Sequence, residues 1–161
     1  MKPSGPTQAA GPPVAAGGDV VERIELASAV LVRHFEMLRR RSDVYHRLER
    51  AEYLLLRTLD LNRATDICGL AGHLGLDPST AGRQVNVLAG RGLVRRAADP
   101  EDRRRSVVTL TDDGRRLMEE VRRRRRQATQ DLLADWSDED RRVLADVFER
   151  YNETVARRYL S

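Results

Sequence analysis

The sequence has one cysteine, one lysine and few aromatic residues. Cys68 alone excludes an intrachain disulfide framework and a cysteine-rich zinc site. The soft groups His34, His46, His73 and Cys68 fall on different expected elements without ligand spacing, so no metal, cofactor or catalytic site is expected. Cys68 and His73 are five apart on one short helix and so on different faces; a lone cysteine of this kind reads as core filler. A redox-sensing role needs an accessible thiolate of low pKa, and no neighbour in the sequence supplies one. No stretch approaches the ~20 apolar residues that span a bilayer, and the N-terminus lacks the apolar core of a signal peptide. The chain is therefore expected in the cytoplasm, with no membrane partner.

What the sequence does have is charge. Charged residues make up 34% against 4% aromatics, the formal net charge is +4 and the pI is near 9.8. That composition suits a surface-rich helical chain with an anionic partner better than a large globular enzyme, provided the cations cluster. Every basic residue except Lys2 is arginine, a bias that a GC-rich genome produces as readily as phosphate binding does. At 161 residues the chain holds one compact domain, or one domain with dimerisation arms.

The centre of the chain is Asp77 to Leu88. Asp77 suits an N-cap and Pro78 the first helical position, where its missing N–H costs nothing. Ala81, Val85 and Leu88 recur at i, i+4, i+7 and make one apolar face. Ser79, Gly82, Arg83 and Asn86 fall opposite: short hydroxyls, a bare backbone and long hydrogen-bonding groups, which suit an approach to phosphates and base edges. Thr80 and Gln84 complete the candidate DNA contacts of this helix. Ile67 to Gly75 reads as a shorter apolar helix, so the pair forms a helix-turn-helix. Gly92 then stops the second helix, Val94-Arg95-Arg96 begins a strand, Ala97 to Arg105 is a charged loop, and Ser106 to Leu110 is a β-branched strand. Strand, loop and strand make a wing. Asp102 and Arg104 are two apart and share one side of an extended segment.

The flanks are helical. Residues 1–18 carry four of the six prolines and read as a flexible tail. From Asp19 to Arg41, Val20, Ile24, Ala27, Leu31, His34, Phe35 and Leu38 recur at helical spacing, with Asp19 as the candidate cap. Val44 to Leu61 is expected as a second helix that is nearly all core, Leu54 included, and Asn62 to Thr65 as a connector, with Thr65 or Asp66 capping the next helix. A fifth helix starts at Thr111, with a seam of Leu117, Val121, Ala128 and Leu132. The run Arg122 to Arg126 wraps that helix; it reads as a solvated face held by Asp and Glu pairs, with a patch on the DNA backbone as the alternative. Ser137 and Asp140 stand at capping-box spacing before a last helix lined by Val143, Leu144, Val147, Phe148, Tyr151 and Val155. The long apolar faces need a partner surface, and a second copy of the chain supplies one.

Asp102-Arg103-Arg104-Arg105-Ser106-Val107-Val108-Thr109-Leu110-Thr111-Asp112-Asp113-Gly114 matches D-x-R, five spacers, L-T-x-x-G. This resembles the wing signature of the MarR family of bacterial winged helix-turn-helix transcription regulators. Ser79-Thr80, Leu88 and Gly92-Leu93-Val94 are similar to its recognition-helix pattern, and the resemblance runs from about residue 20 to the end. Ala89 departs from a position that is often acidic, and Arg105 from one that is often small. The resemblance implies a mainly α fold with a small two-stranded β wing, dimerised through the N- and C-terminal helices. The expected parts are tail 1–18, N-terminal dimerisation helix 19–42, winged helix-turn-helix 43–111 and C-terminal dimerisation helices 112–161. It implies a homodimeric regulator, a repressor by expectation, on a pseudo-palindromic operator of double-stranded DNA. It also implies that Asp102 orients Arg104 into the minor groove, where narrowness enhances the negative potential. Arg103 and Arg105 would flank it on phosphates, with Arg95 as a weaker wing contact. Family members often take a small aromatic or phenolic effector between dimer base and winged domain, which brings forward His34, Leu38, Tyr45 and His46. An architectural DNA binder of little sequence preference and a cysteine-based redox regulator remain the alternatives.

Overall fold

The computed structural model describes residues 19–43, 46–99 and 106–160. The chain divides into two compact units, Met1–Asp43 and Val44–Ser161. The first holds one helix, α1 (Val20–Arg41). Asp19 stands at its N-cap without a side-chain cap bond, and Arg39, Arg40 and Arg41 sit in the last turn, where cations oppose the negative end of the dipole.

The second unit runs α2 (Arg50–Asn62), β1 (Ala64–Thr65), α3 (Ile67–Leu74), α4 (Pro78–Gly90), β2 (Val94–Ala98), β3 (Ser106–Leu110), α5 (Asp112–Leu132) and α6 (Asp138–Tyr159). Its core gathers Leu48, Leu55, Leu56, Leu59, Leu70, Val85, Leu88, Val108, Met118 and Val121. Each fully buried leucine contributes roughly 1.5–3 kcal/mol.

Three expectations are corrected here. The segment Asn62 to Thr65 is more than a connector: Ala64 and Thr65 pair with Thr109 and Val108, so the two wing strands β2 and β3 belong to a three-stranded antiparallel sheet in the order β1-β3-β2. A two-residue strand carries no alternation to read, so this segment passes for a connector. The second helix begins at Arg50 rather than Val44, because the Glu49 amide donates to Glu52 Oε2 at 3.0 Å in a capping box that sets the start there. Leu54 faces solvent, while Leu55, Leu56 and Leu59 of the same helix are buried.

Local caps fix the helix-turn-helix. Asp66 caps α3, accepting from the Gly69 amide at 2.7 Å. Gly75 ends it in the left-handed region at φ 64°, which a residue without a Cβ adopts at no steric cost. Asp77 then caps α4, accepting from the Thr80 amide at 2.9 Å. The β2–β3 hairpin aligns Val94 with Leu110 and Ala98 with Ser106.

The hairpin joins α5 through a tight contact. The Thr111 amide donates to Leu93 O at 3.1 Å and its hydroxyl to Gly92 O at 2.7 Å, while the Gly114 amide donates to Thr111 Oγ1 at 3.0 Å. A Cβ on Gly114 would stand 1.9 Å from Leu93 O. The Thr-x-x-Gly of the wing signature is thus the cap of α5 followed by a residue that backbone approach keeps bare.

At the other end of the chain, Ser137 caps α6, accepting from the Asp140 amide at 3.1 Å. None of the described α6 residues is buried, and Val143, Val147, Phe148, Tyr151 and Val155 are exposed.

Candidate nucleic-acid interface

The two faces of α4 separate cleanly. Ala81, Val85 and Leu88 are 0% exposed, while Ser79, Arg83 and Asn86 lie open to solvent and Gly82 is half-buried. At the N-terminus the Ser79 hydroxyl donates to Asp77 Oδ1 at 2.5 Å. Arg83 folds back along the helix, with Nη1 donating to Ser79 Oγ at 3.3 Å and Nη2 to Thr80 Oγ1 at 2.7 Å. Hydrogen bonds from Ser79, then from Thr80, with the Arg83 charge adding to them, hold the Asp77 carboxyl well below the usual carboxylate range. Gln84 differs from its neighbours: its Oε1 is buried and has no hydrogen-bond partner among the described residues, so that end of the side chain faces inward.

Two arginines of β2 point to different partners. Arg96 Nη2 donates to Asn86 Oδ1 at 2.9 Å, joining β2 to α4. Arg95 Nε donates to Thr109 Oγ1 at 3.3 Å across the hairpin. Asp102, Arg103, Arg104 and Arg105 lie outside the described residues, as do Tyr45 and the tail 1–18.

At its C-terminal end α4 is clamped to the entry of α2. Arg91 Nη1 donates to Glu52 Oε1 at 2.7 Å and Nη2 to Arg47 O at 3.3 Å. Arg47 Nη1 in turn lies 2.6 Å from Glu120 Oε2 of α5. Nothing local in the sequence marks this clamp, whose partners stand 39 and 73 residues apart.

The arginine run of α5 divides by role. Arg124 pairs with Glu120 at 2.9 Å. Arg125 stacks 4.0 Å from the Tyr53 ring centroid and donates to Leu48 O at 3.1 Å. Arg122, Arg123 and Arg126 share an open side of the helix with Glu119.

The remaining candidates are dispersed. His34 is exposed and Leu38 half-buried on α1, and His46 is exposed in the second unit. Among the described residues no three His, Cys, Asp or Glu side chains group as a metal site. Cys68, read as core filler, is exposed instead: it sits in the first turn of α3, outside the face that Leu70 and Ala71 bury.

A model described as the MarR family matches residues 48–106. The helix-turn-helix-type transcriptional regulator YxaD of Bacillus subtilis is 32% identical over 133 residues, covering 83% of this chain and 93% of that protein. The PcaV transcriptional regulator of Streptomyces coelicolor, solved in complex with its natural ligand, is similar at a TM-score of 0.67 and 26% identity, over 86% of this chain and 97% of that one. Bordetella bronchiseptica BpsR, whose DNA binding is regulated by 6-hydroxynicotinic acid, is similar at a TM-score of 0.62 and 25% identity, over 88% and 98%.

Proposed function

We infer that this chain, which belongs to the MarR family and is a transcription regulator rather than an enzyme, represses transcription as a homodimer on a pseudo-palindromic operator. The observation that carries the reading is α4: a capped helix with a fully buried inner face leaves Ser79, Arg83 and Asn86 exposed on its outer face. One α4 enters the major groove of each half-site, and half-site centres lie about 34 Å apart or a multiple of it. Arg104, oriented by Asp102, enters the adjacent minor groove; Arg103, Arg105 and Arg95 face phosphates.

The dimer is built from α1 and the C-terminal helices α5 and α6. Phe35 of α1 and Phe148 and Tyr151 of α6 are exposed large apolar side chains of the kind that a partner covers. None of the described helices is long and apolar enough to cross a membrane, and the regulator acts in the cytoplasm, where its DNA is.

A small aromatic or phenolic effector releases the operator. PcaV, solved with its natural ligand, and BpsR, whose DNA binding is regulated by 6-hydroxynicotinic acid, are each similar to this chain, which supports such control here. His34, Leu38, Tyr45 and His46 are the residues proposed to meet it.

The test is binding to the DNA flanking the protein's own gene, with random duplex as competitor and with aromatic acids added in turn. A footprint of two symmetric contact patches that resists random DNA, and that one of the acids releases, supports the reading. A single asymmetric patch, or equal competition by random DNA, overturns it in favour of an architectural binder whose affinity is set by salt.

A further inference from the structure

We propose that the outer face of α4 reads its half-site through hydrogen-bond donors, so that its base contacts fall on acceptor edges, above all those of guanine. The inference rests on the DNA-binding reading above and names what that helix recognises. In the major groove guanine presents two acceptors, N7 and O6, and thymine one, O4; adenine mixes an acceptor with a donor and cytosine presents a donor.

Arg83 has no acceptor to offer. Its Nη1 and Nη2 are each braced from within the helix, by Ser79 Oγ at 3.3 Å and Thr80 Oγ1 at 2.7 Å. The brace is directional, because Ser79 spends its own hydroxyl hydrogen on Asp77 Oδ1 at 2.5 Å and so meets Arg83 as an acceptor. Ser79 and Thr80 are therefore positioning residues for the guanidinium, which presents its remaining N–H groups outward.

Asn86 is the residue whose chemistry the sequence leaves open. A carboxamide normally pairs with adenine through both ends, accepting from N6 and donating to N7. Here Oδ1 is turned to the wing strand, where it accepts from Arg96 Nη2 at 2.9 Å. A guanidinium only donates, so the contact fixes which end of the amide faces β2. The other end, the Nδ2 donor, is left for the groove. Arg96 is thus a positioning residue that removes the adenine pattern from Asn86 and leaves a donor in its place. Arg83 and Asn86 stand three apart on the same exposed side of α4, so both donors address neighbouring bases.

The experiment is selection of bound duplexes from random DNA by the full-length protein, followed by binding to the selected duplex with each guanine replaced singly by 7-deazaguanine. Each half-site is expected to hold a guanine whose replacement weakens binding about tenfold or more, next to a position that ranks adenine below guanine and thymine. Selection with Arg96→Ala should raise adenine to the preferred base at that second position, and Arg96→Lys, which keeps a donor, should restore the wild-type ranking. Thr80→Val should cut the guanine preference about tenfold, and Thr80→Ser should rescue it. A merely structural role for Arg96 would scale affinity for all sequences together and leave base choice unmoved. The proposal is overturned if the selected half-sites place adenine opposite Asn86, if 7-deazaguanine binds as guanine does, or if Arg96→Ala keeps the wild-type base choice. Failure to enrich any sequence would instead overturn the sequence-specific reading on which the proposal stands.

Discussion

The same substitution, glycine to alanine, should act with opposite sign at two positions. At Gly114 the added Cβ would lie 1.9 Å from Leu93 O and 2.8 Å from Leu93 C. Both are backbone atoms, so no side-chain rotation relieves the clash; the first turn of α5 or the start of β2 must move. That movement strains the Thr111 amide bond to Leu93 O and the Thr111 hydroxyl bond to Gly92 O, which join hairpin to helix. Overpacking costs about 1–3 kcal/mol, and a damaged cap adds about 1 kcal/mol. Helix propensity returns about 1 kcal/mol of this, leaving a net loss of about 1–3 kcal/mol. At Gly82, in the middle of α4, an added Cβ meets nothing within 4 Å among the described residues. There propensity acts alone, and the variant gains roughly 0.5–1 kcal/mol. For a chain of this size each kcal/mol moves Tm by about 2–4 °C. Gly114→Ala should therefore unfold several degrees below wild type and Gly82→Ala a few degrees above it. Thermal unfolding followed by circular dichroism decides the matter, at one protomer concentration because a dimer's Tm depends on it. A Gly114→Ala protein that melts at or above wild type would refute the close approach of α5 to Leu93.

Other outcomes are expected from the same structure and sequence. Arg104→Ala should weaken binding to nearly all DNA and flatten its dependence on salt while leaving the dimer intact; an unchanged salt slope over a titration series would make Arg122, Arg123 and Arg126 the leading backbone contacts. Removal of residues 143–161 deletes the apolar stripe of α6, and light scattering should then find no folded dimer; a well-folded monomer speaks against α6 as a dimer element. The folded Asp77 carboxyl is held below its ordinary value by Ser79 and Thr80, so its contribution is full above about pH 4 and is lost as pH falls through the lower folded value. Asp77→Ala should accordingly destabilise the protein at neutral pH, with the difference from wild type shrinking in strong acid; a difference that stays constant down to that range contradicts the cap. Cys68, being exposed, should react stoichiometrically with a thiol reagent in the native protein, and reaction only after denaturation would place it elsewhere.

How much of this was legible in the sequence depends on the distance over which each feature is encoded. Asp77-Pro78 and the spacing of Ala81, Val85 and Leu88 lie within a few turns, and α4 has the cap, the start and the buried face that they predict. Val107 and Val108 mark β3 in the same local way. The capping box of Glu49 and Glu52 was equally local, but apolar residues at helical spacing on its N-terminal side, Val44 and Leu48, drew the expected start of α2 past it. Cys68 sits in an eight-residue helix, too short for periodicity to separate a buried face from an open one. Gly114 was legible as a letter of a signature, while its cause, the carbonyl of Leu93, lies 21 residues away. The contacts that set the candidate site are non-local in the same sense: Arg91 to Glu52, Arg47 to Glu120, Arg96 to Asn86. In a chain whose basic residues are arginine at every position but one, an arginine in the sequence says little about its partner. Only the fold decides which of them clamps a helix, which stacks on Tyr53 and which turns the amide of Asn86.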